Sequence, residues 1–232
     1  MAISVNKVYR TVLSIINKEG RGFLTPDQFN RIGRQVQLDL LERAFFDYNK
    51  AVNKEKANIT NSGYANIPNN IKEKIDIFSK EAALTISTGV APVPSDLYRI
   101  TNITTSNRTI NIEEVSKSEL SYVNASKLTA PTSNYPVYYR EANNIKLFPT
   151  SISAAKVDYI KVPGDPYWGF TKNSSNGSYE YKENLSTNFE IHESDEVDLV
   201  IKILGYTGLI IKDPTVIQVA GGEESKIIQL EN

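Results

Sequence analysis

Hydrophobic periodicity changes twice along this chain, and those two changes constrain its fold more than any single motif. Over residues 3–80 apolar side chains recur three or four positions apart. Over 97–162 short apolar runs alternate with polar residues, and beyond 191 the helical spacing returns. Spacings of about 3.6 and about 2 mark amphipathic helices and half-buried strands. The pattern predicts an α+β fold, with a helical lobe built from the N- and C-terminal segments and a β-rich, sandwich-like lobe inserted between them. The break at Gly89-Val-Ala-Pro-Val-Pro places the first boundary. Residues 1–88 are then helical, 89–186 form the β-rich lobe, and 187–232 are C-terminal helices and tail that join the first segment.

The first helical segment carries the clearest local signals. Val5, Val8, Val12, Leu13 and Ile16 form one stripe over residues 3–18. Gly20-Arg21-Gly22 breaks the chain, and Thr25-Pro26-Asp27-Gln28 restarts it. The Thr25 hydroxyl can accept from a first-turn N–H, Pro26 stands where a missing N–H costs nothing, and Gln28 can reach back to the cap N–H. The helix that follows runs to about Lys54 and gathers Phe29, Ile32, Val36, Leu40, Leu41, Ala44, Phe45 and Tyr48 on one broad face. Residues 58–70 read as a loop. A third helix is expected from about Asn70 to about Lys80, with Ile71, Ile75 and Phe78 inward. The joint also resembles a calcium loop counted from Asn17, with Gly22 sixth and Thr25 ninth. Arg21 in fifth place is a cation where an oxygen ligand is required, and Gln28 in twelfth place supplies no bidentate carboxylate. Calcium is therefore not expected there.

In the middle region, 97–103 and 109–115 are strand candidates. Ser116 and Glu119 make a second capping box ahead of a short helix over about 117–125. Residues 137–141 and 144–149 read as a hairpin turning at Ala142-Asn143-Asn144, and 154–162 as a further strand ended by Pro163-Gly-Asp-Pro. The aromatic, Gly- and Asn-rich stretch 167–186 reads as a loop or loose hairpin. Glu193, Asp195, Glu196 and Asp198 then load a helix N-terminus with negative charge. Val197, Val200, Ile201, Leu204 and Leu209 are expected on its buried face, and Asp213-Pro214 opens a last helix. Gly221-Gly222 weakens that helix, and the polar tail from Glu223 is expected to order only against a partner.

Composition narrows the chemistry. With 26 basic and 27 acidic residues in 232, the net charge of -1 supplies no global pull toward nucleic acid or a membrane. There is no cysteine, hence no disulfide, thiol nucleophile or thiolate metal site. No run of about 18 apolar residues occurs, so no membrane span is expected. The single histidine, His192, has no Ser or Asp motif around it and is expected at the surface or in a cap. Gly20-x-Gly22 lacks a third glycine and a preceding strand, so no phosphate loop is present. The acidic cluster 193–198 lacks oxygen-ligand spacing for a cation. No catalytic, cofactor-binding or metal-ligating residue is nominated, and an enzyme is not expected.

Tyr159, Tyr167, Trp168, Phe170, Tyr179 and Tyr181 interleave with Lys156, Lys161, Lys172 and Lys182, a composition that suits single-stranded nucleic acid. The competing reading, lobe core and subunit interface, is favoured because acidic residues dilute the lysines.

Several segments, in order, resemble a virion structural protein of crAss-like phages. They are Asn6-Lys-Val-Tyr-Arg-Thr-Val-Leu, Asn17-Lys-Glu-Gly-Arg-Gly-Phe-Leu-Thr-Pro-Asp-Gln-Phe-Asn and Gln35-Val-Gln-Leu-Asp-Leu-Leu-Glu, followed by Val137-Tyr-Tyr-Arg-Glu, Pro163-Gly-Asp-Pro-Tyr-Trp-Gly, Ile191-His-Glu-Ser-Asp-Glu-Val-Asp-Leu-Val-Ile-Lys-Ile-Leu and Lys212-Asp-Pro. Glu193 stands where the family pattern leads one to expect proline. The resemblance implies a head-to-tail connector, the ring or adaptor protein of a short-tailed bacteriophage. Such a protein forms a ring of about twelve copies below the portal, joins portal to tail and surrounds the packaged DNA without sequence-specific contact. A closed ring needs two unlike faces per subunit. The terminal helices are expected to dock onto neighbouring rings, and the β lobe or the 167–186 loop to make lateral or tail-facing contacts. The partners implied are further copies of the chain, the portal protein, neighbouring ring or tail proteins and passing DNA, with no membrane; the location implied is the virion neck. The alternatives are a nucleic-acid-binding module acting through 156–182, or another portal- or tail-associated virion protein.

Overall fold

Thr25 starts the longest element as the sequence predicts. In the computed structural model the Thr25 Oγ1 accepts from the Gln28 backbone N–H at 3.3 Å, and the Gln28 side-chain oxygen accepts from the Thr25 N–H at 3.0 Å. Both reciprocal bonds of a capping box are therefore made. The structure describes residues 2–17, 24–56, 67–175, 177–211 and 214–230. The weighed calcium loop and the Gly20-Arg21-Gly22 break lie mostly outside them, as does Asp213.

The chain divides into two compact units, one formed by Met1–Ile77 with Pro163–Asn232 and the other by Phe78–Val162. The architecture is mixed α+β, with the β-rich unit inserted between helical segments. The boundaries differ from those expected at 89 and 186. The inserted unit starts about ten residues earlier, and residues 163–186 belong with the helices.

The helical unit contains α1 (Val5–Asn17), α2 (Pro26–Lys56), α3 (Ile67–Asp76), α5 (Glu196–Ile211) and α6 (Pro214–Leu230). Val5, Val8, Val12 and Ile16 of α1 meet Phe29, Ile32, Val36 and Leu40 of α2 and Leu199 and Ile203 of α5 in one core. The expected face of α2 is buried only as far as Leu41; Ala44, Phe45 and Tyr48 are half-buried and Phe46 is exposed. Ile3 and Phe189 exchange both backbone hydrogen bonds at 3.0 Å, fastening the start of the chain to the segment entering α5.

Two expectations for the C-terminal helices are corrected. Val197, expected inside, is 64% exposed, and Leu199 and Ile203 are fully buried instead. A 3-10 turn, Glu193–Asp195, precedes α5, which starts at Glu196 and leaves Val197 of its first turn in water, while Leu204 is buried and Val200 packs against the core as expected. The stretch from Glu223, expected to order only against a partner, continues α6 past Gly221-Gly222 to Leu230. Lys202 of α5 holds it by pairing with Glu224 at 2.9 Å while also pairing with Asp39 of α2 at 2.7 Å.

The inserted unit holds β1 (Ser79–Thr85), β2 (Val90–Pro92), β3 (Leu97–Thr105), β4 (Asn111–Glu114), α4 (Lys117–Ala125), β5 (Val137–Glu141), β6 (Asn144–Phe148) and β7 (Ala154–Lys161). These strands form one seven-stranded sheet in the order β1-β7-β3-β4-β5-β6-β2. The outermost strands, β1 and β2, are neighbours in sequence and approach each other, so the sheet nearly closes on itself rather than forming two stacked sheets. All pairings are antiparallel except β4 with β5. A parallel pair needs a crossover connection, and here α4 and the segment after it provide one. Inward positions alternate along each strand: Leu84, Ile103, Ile112, Tyr138, Ile145 and Leu147, Val157 and Tyr159 fill the interior. The third predicted helix ends at Asp76, four residues short of Lys80, because Ser79-Lys-Glu-Ala-Ala pairs with β7 as β1.

At the start of β2, Gly89 has φ +77°, and a Cβ there would lie 2.9 Å from the Leu147 carbonyl oxygen. Only glycine accepts that backbone without strain.

Candidate interaction site

The crossover between β4 and β5 is the least covered part of the inserted unit. Its helix α4 has only nine residues and none is buried. An isolated helix of that length is marginal in water. Local bonds hold it. The Ser116 side chain accepts from the Glu119 N–H, and the Glu119 carboxylate accepts from the Ser116 N–H at 2.9 Å, the second predicted capping box. Lys117 pairs with Glu141 of β5 at 2.7 Å. Beyond the helix, the Ala130 N–H bonds the Ser126 carbonyl at 2.9 Å, and Thr132 and Tyr135 exchange backbone bonds in a tight turn. The result is an ordered arm over 116–136 whose large apolar side chains face water: Tyr122 is 79% exposed, Leu128 98% and Tyr135 80%. Lys127, beside Leu128, makes no ion pair among the described residues.

At the root of the arm, Glu141 receives hydrogen bonds from Lys117 and Lys146. They hold its carboxyl down to about 2 from an ordinary 4.5. A lowered native pKa means that the tether stabilises at pH values above about 4.5 and loses that contribution as pH falls toward 2. An NMR titration of the Glu141 carboxyl is expected to show a midpoint near 2. The Lys117→Ala, Lys146→Ala double variant should return it to the ordinary range, and an ordinary midpoint in the starting protein would refute the tether.

The stretch 167–186, expected as a loop or loose hairpin, is a short hairpin of β8 (Phe170–Lys172) and β9 (Tyr179–Tyr181) in the helical unit. Its aromatics mostly face inward. Trp168 is 4% exposed, with its ring 4.3 Å from that of Tyr9, 5.6 Å from Tyr181 and 6.0 Å from Phe170. The Trp168 indole N–H donates to Asn6 at 3.1 Å, and its backbone N–H donates to Asn30 at 2.8 Å. Burial, with Tyr179 nearby, pushes the Tyr9 hydroxyl up to about 12. The lysine-and-aromatic segment weighed for nucleic acid is therefore divided. Tyr159 fills the interior of the β unit, while Trp168, Phe170, Tyr179 and Tyr181 pack in or against the helical core.

What remains outward on this hairpin is Tyr167, 42% exposed, and Leu185, 54% exposed, with Glu183 beside Leu185. The two sides are close-packed at their base. Tyr167 and Thr187 exchange backbone bonds at 2.9 and 2.8 Å, and a Cβ on Gly169 would sit 2.7 Å from Leu185. Glu180 lies 3.9 Å from Lys182, while Glu183 makes no ion pair among the described residues.

His192 caps the 3-10 turn that precedes α5, its Nδ1 accepting from the Ser194 N–H at 3.2 Å. The acidic cluster is drawn into helix contacts: Asp195 pairs with Lys74 of α3 at 2.6 Å, and Glu196 with Lys7 of α1 at 2.7 Å. Among the described residues no three His, Asp or Glu side chains converge as a metal site, and no helix is long and apolar enough to cross a membrane. Sequence reasoning identified the helix over 117–125 but did not single out Tyr122, Leu128 and Tyr135. The signal was available as apolar side chains within a Ser-, Thr- and Asn-rich stretch. Compared with protein-family models and with curated proteins, the sequence gives no match.

Proposed function

We propose that this chain is a virion structural protein, a ring-forming head-to-tail connector between the portal and the tail of a short-tailed bacteriophage. The reading rests on the ordered resemblance of segments from Asn6 to Pro214 to that family. The observation that carries it on the structural side is the 116–136 arm. It is held in shape by caps, turns and an ion pair while its large apolar side chains lie in water. Large exposed apolar side chains of this kind are what a contact with another chain would cover. The partners are further copies of the chain, the portal, and adjoining ring or tail proteins. DNA passes without sequence-specific contact.

The experiment is co-migration. Mixed with portal complexes from the same virion, the chain should travel with them on a density gradient. Free sedimentation of the chain at every mixing ratio would overturn the portal-adjacent placement.

A further inference from the structure

We propose that the 116–136 arm of one copy docks on the Tyr167–Glu183–Leu185 patch of a second copy, repeating head to tail. The assignment rests on the ring-forming reading above and names the surfaces that would close the ring. Tyr122, Leu128 and Tyr135 together leave on the order of 400 Å² of side chain in water. A stable interface covers roughly 800 Å² per partner, so the arm supplies about half of one side before any backbone or rim contact is counted.

A second copy suits both surfaces at once. The arm exposes Tyr122, Leu128 and Tyr135 beside Lys127, a cation with no ion pair among the described residues; the patch exposes Tyr167 and Leu185 beside Glu183, an anion with none among the described residues. Joining them covers both apolar groups and pairs both charges. A heterologous interface needs two unlike, complementary patches on the same chain, each used once per subunit, and these two satisfy that requirement. Tyrosine at the centre of such a contact gives large area at low entropic cost.

The chain has no cysteine, so thiols placed at Lys127→Cys and Glu183→Cys are the only ones present. Mixing the two single variants with a short bis-maleimide should give a cross-linked dimer, with much less from either variant alone. The double variant should give a ladder of linked multimers. Equal dimer yields from the single variants alone, or a double variant linked only within its own chain, would overturn the proposal.

Charge reversal is the second measurement. Lys127→Glu and Glu183→Lys should each weaken self-association about three- to tenfold, and the combined swap should restore it. Tyr122→Ser, Leu128→Ser and Tyr135→Ser together should weaken it about a hundredfold or more with an unchanged circular dichroism spectrum. Rings that persist in the triple variant would refute this surface assignment and leave the ring reading standing. Failure of the starting protein to associate under any condition would strike the ring reading itself.

Discussion

Trp168→Ala is expected to lower the melting temperature of the helical unit by about 6–20 °C. Truncating a buried tryptophan costs about 3–5 kcal/mol, and each kcal/mol moves the melting point of a unit this size by about 2–4 °C. The indole covers Tyr9, Phe170 and Tyr181 and bonds Asn6 of α1. Its loss therefore opens a cavity and leaves the half-buried Asn6 side chain without its donor. The neighbouring Tyr167→Ala, at a 42% exposed position, should shift melting by only a few degrees. Thermal unfolding followed by circular dichroism checks the pair. Equal, small shifts for both would mean that Trp168 is a surface group free to stack on a ligand, which is the nucleic-acid reading.

The second large effect is expected at Gln37. Its side chain is 2% exposed; its amide nitrogen donates to the Gly164 carbonyl at 2.7 Å and its oxygen accepts from the Glu190 N–H at 2.9 Å. The Glu190 carboxylate in turn accepts from the Gly164 N–H at 2.9 Å. One side chain of α2 thus binds both ends of the segment 164–190 that leads from the β unit back to α5. Gln37→Leu keeps most of the volume and removes both bonds, leaving a carbonyl and an N–H with poor access to water. The expected loss is about 2–4 kcal/mol. Chemical denaturation gives the value, and a change under about 0.5 kcal/mol would show that water replaces both bonds without cost.

These two residues also mark where sequence reading stopped. Signals confined to a few neighbours were legible. They include the Thr25/Gln28 and Ser116/Glu119 capping boxes, proline at the first position of α2, the α1 stripe, and the β5–β6 hairpin turning through Ala142, whose φ of +49° suits a tight turn. Features decided by distant partners were not. Ser79-Lys-Glu-Ala-Ala has helix-favouring residues, yet it pairs along its whole length with β7. Tertiary pairing overrides so small a propensity. The aromatic hairpin was assigned to the β lobe by sequence adjacency, whereas Trp168 bonds Asn30, 138 positions away. The parallel β4–β5 pairing and the near-closure of β1 on β2 leave no local trace at all. Of the expected α5 face, Leu204 is buried and Val200 packs against the core, whereas Val197 lies in water and Leu199 and Ile203 carry the contact, since nothing in Glu193-Ser-Asp distinguishes a 3-10 turn from the first turn of the helix. For the interaction site, the helix carrying Tyr122 was legible through its cap. The polar stretch around Leu128 and Tyr135 hinted that apolar side chains there lack cover, and their 98% and 80% exposure bears that hint out.

We propose that copies of this chain close into a ring. Light scattering on the purified protein across a concentration series, alone and with portal complexes, followed by negative-stain imaging, tests it most directly. Closed rings of about twelve subunits are expected. A strict monomer at every concentration, both alone and in the presence of portal complexes, would contradict it.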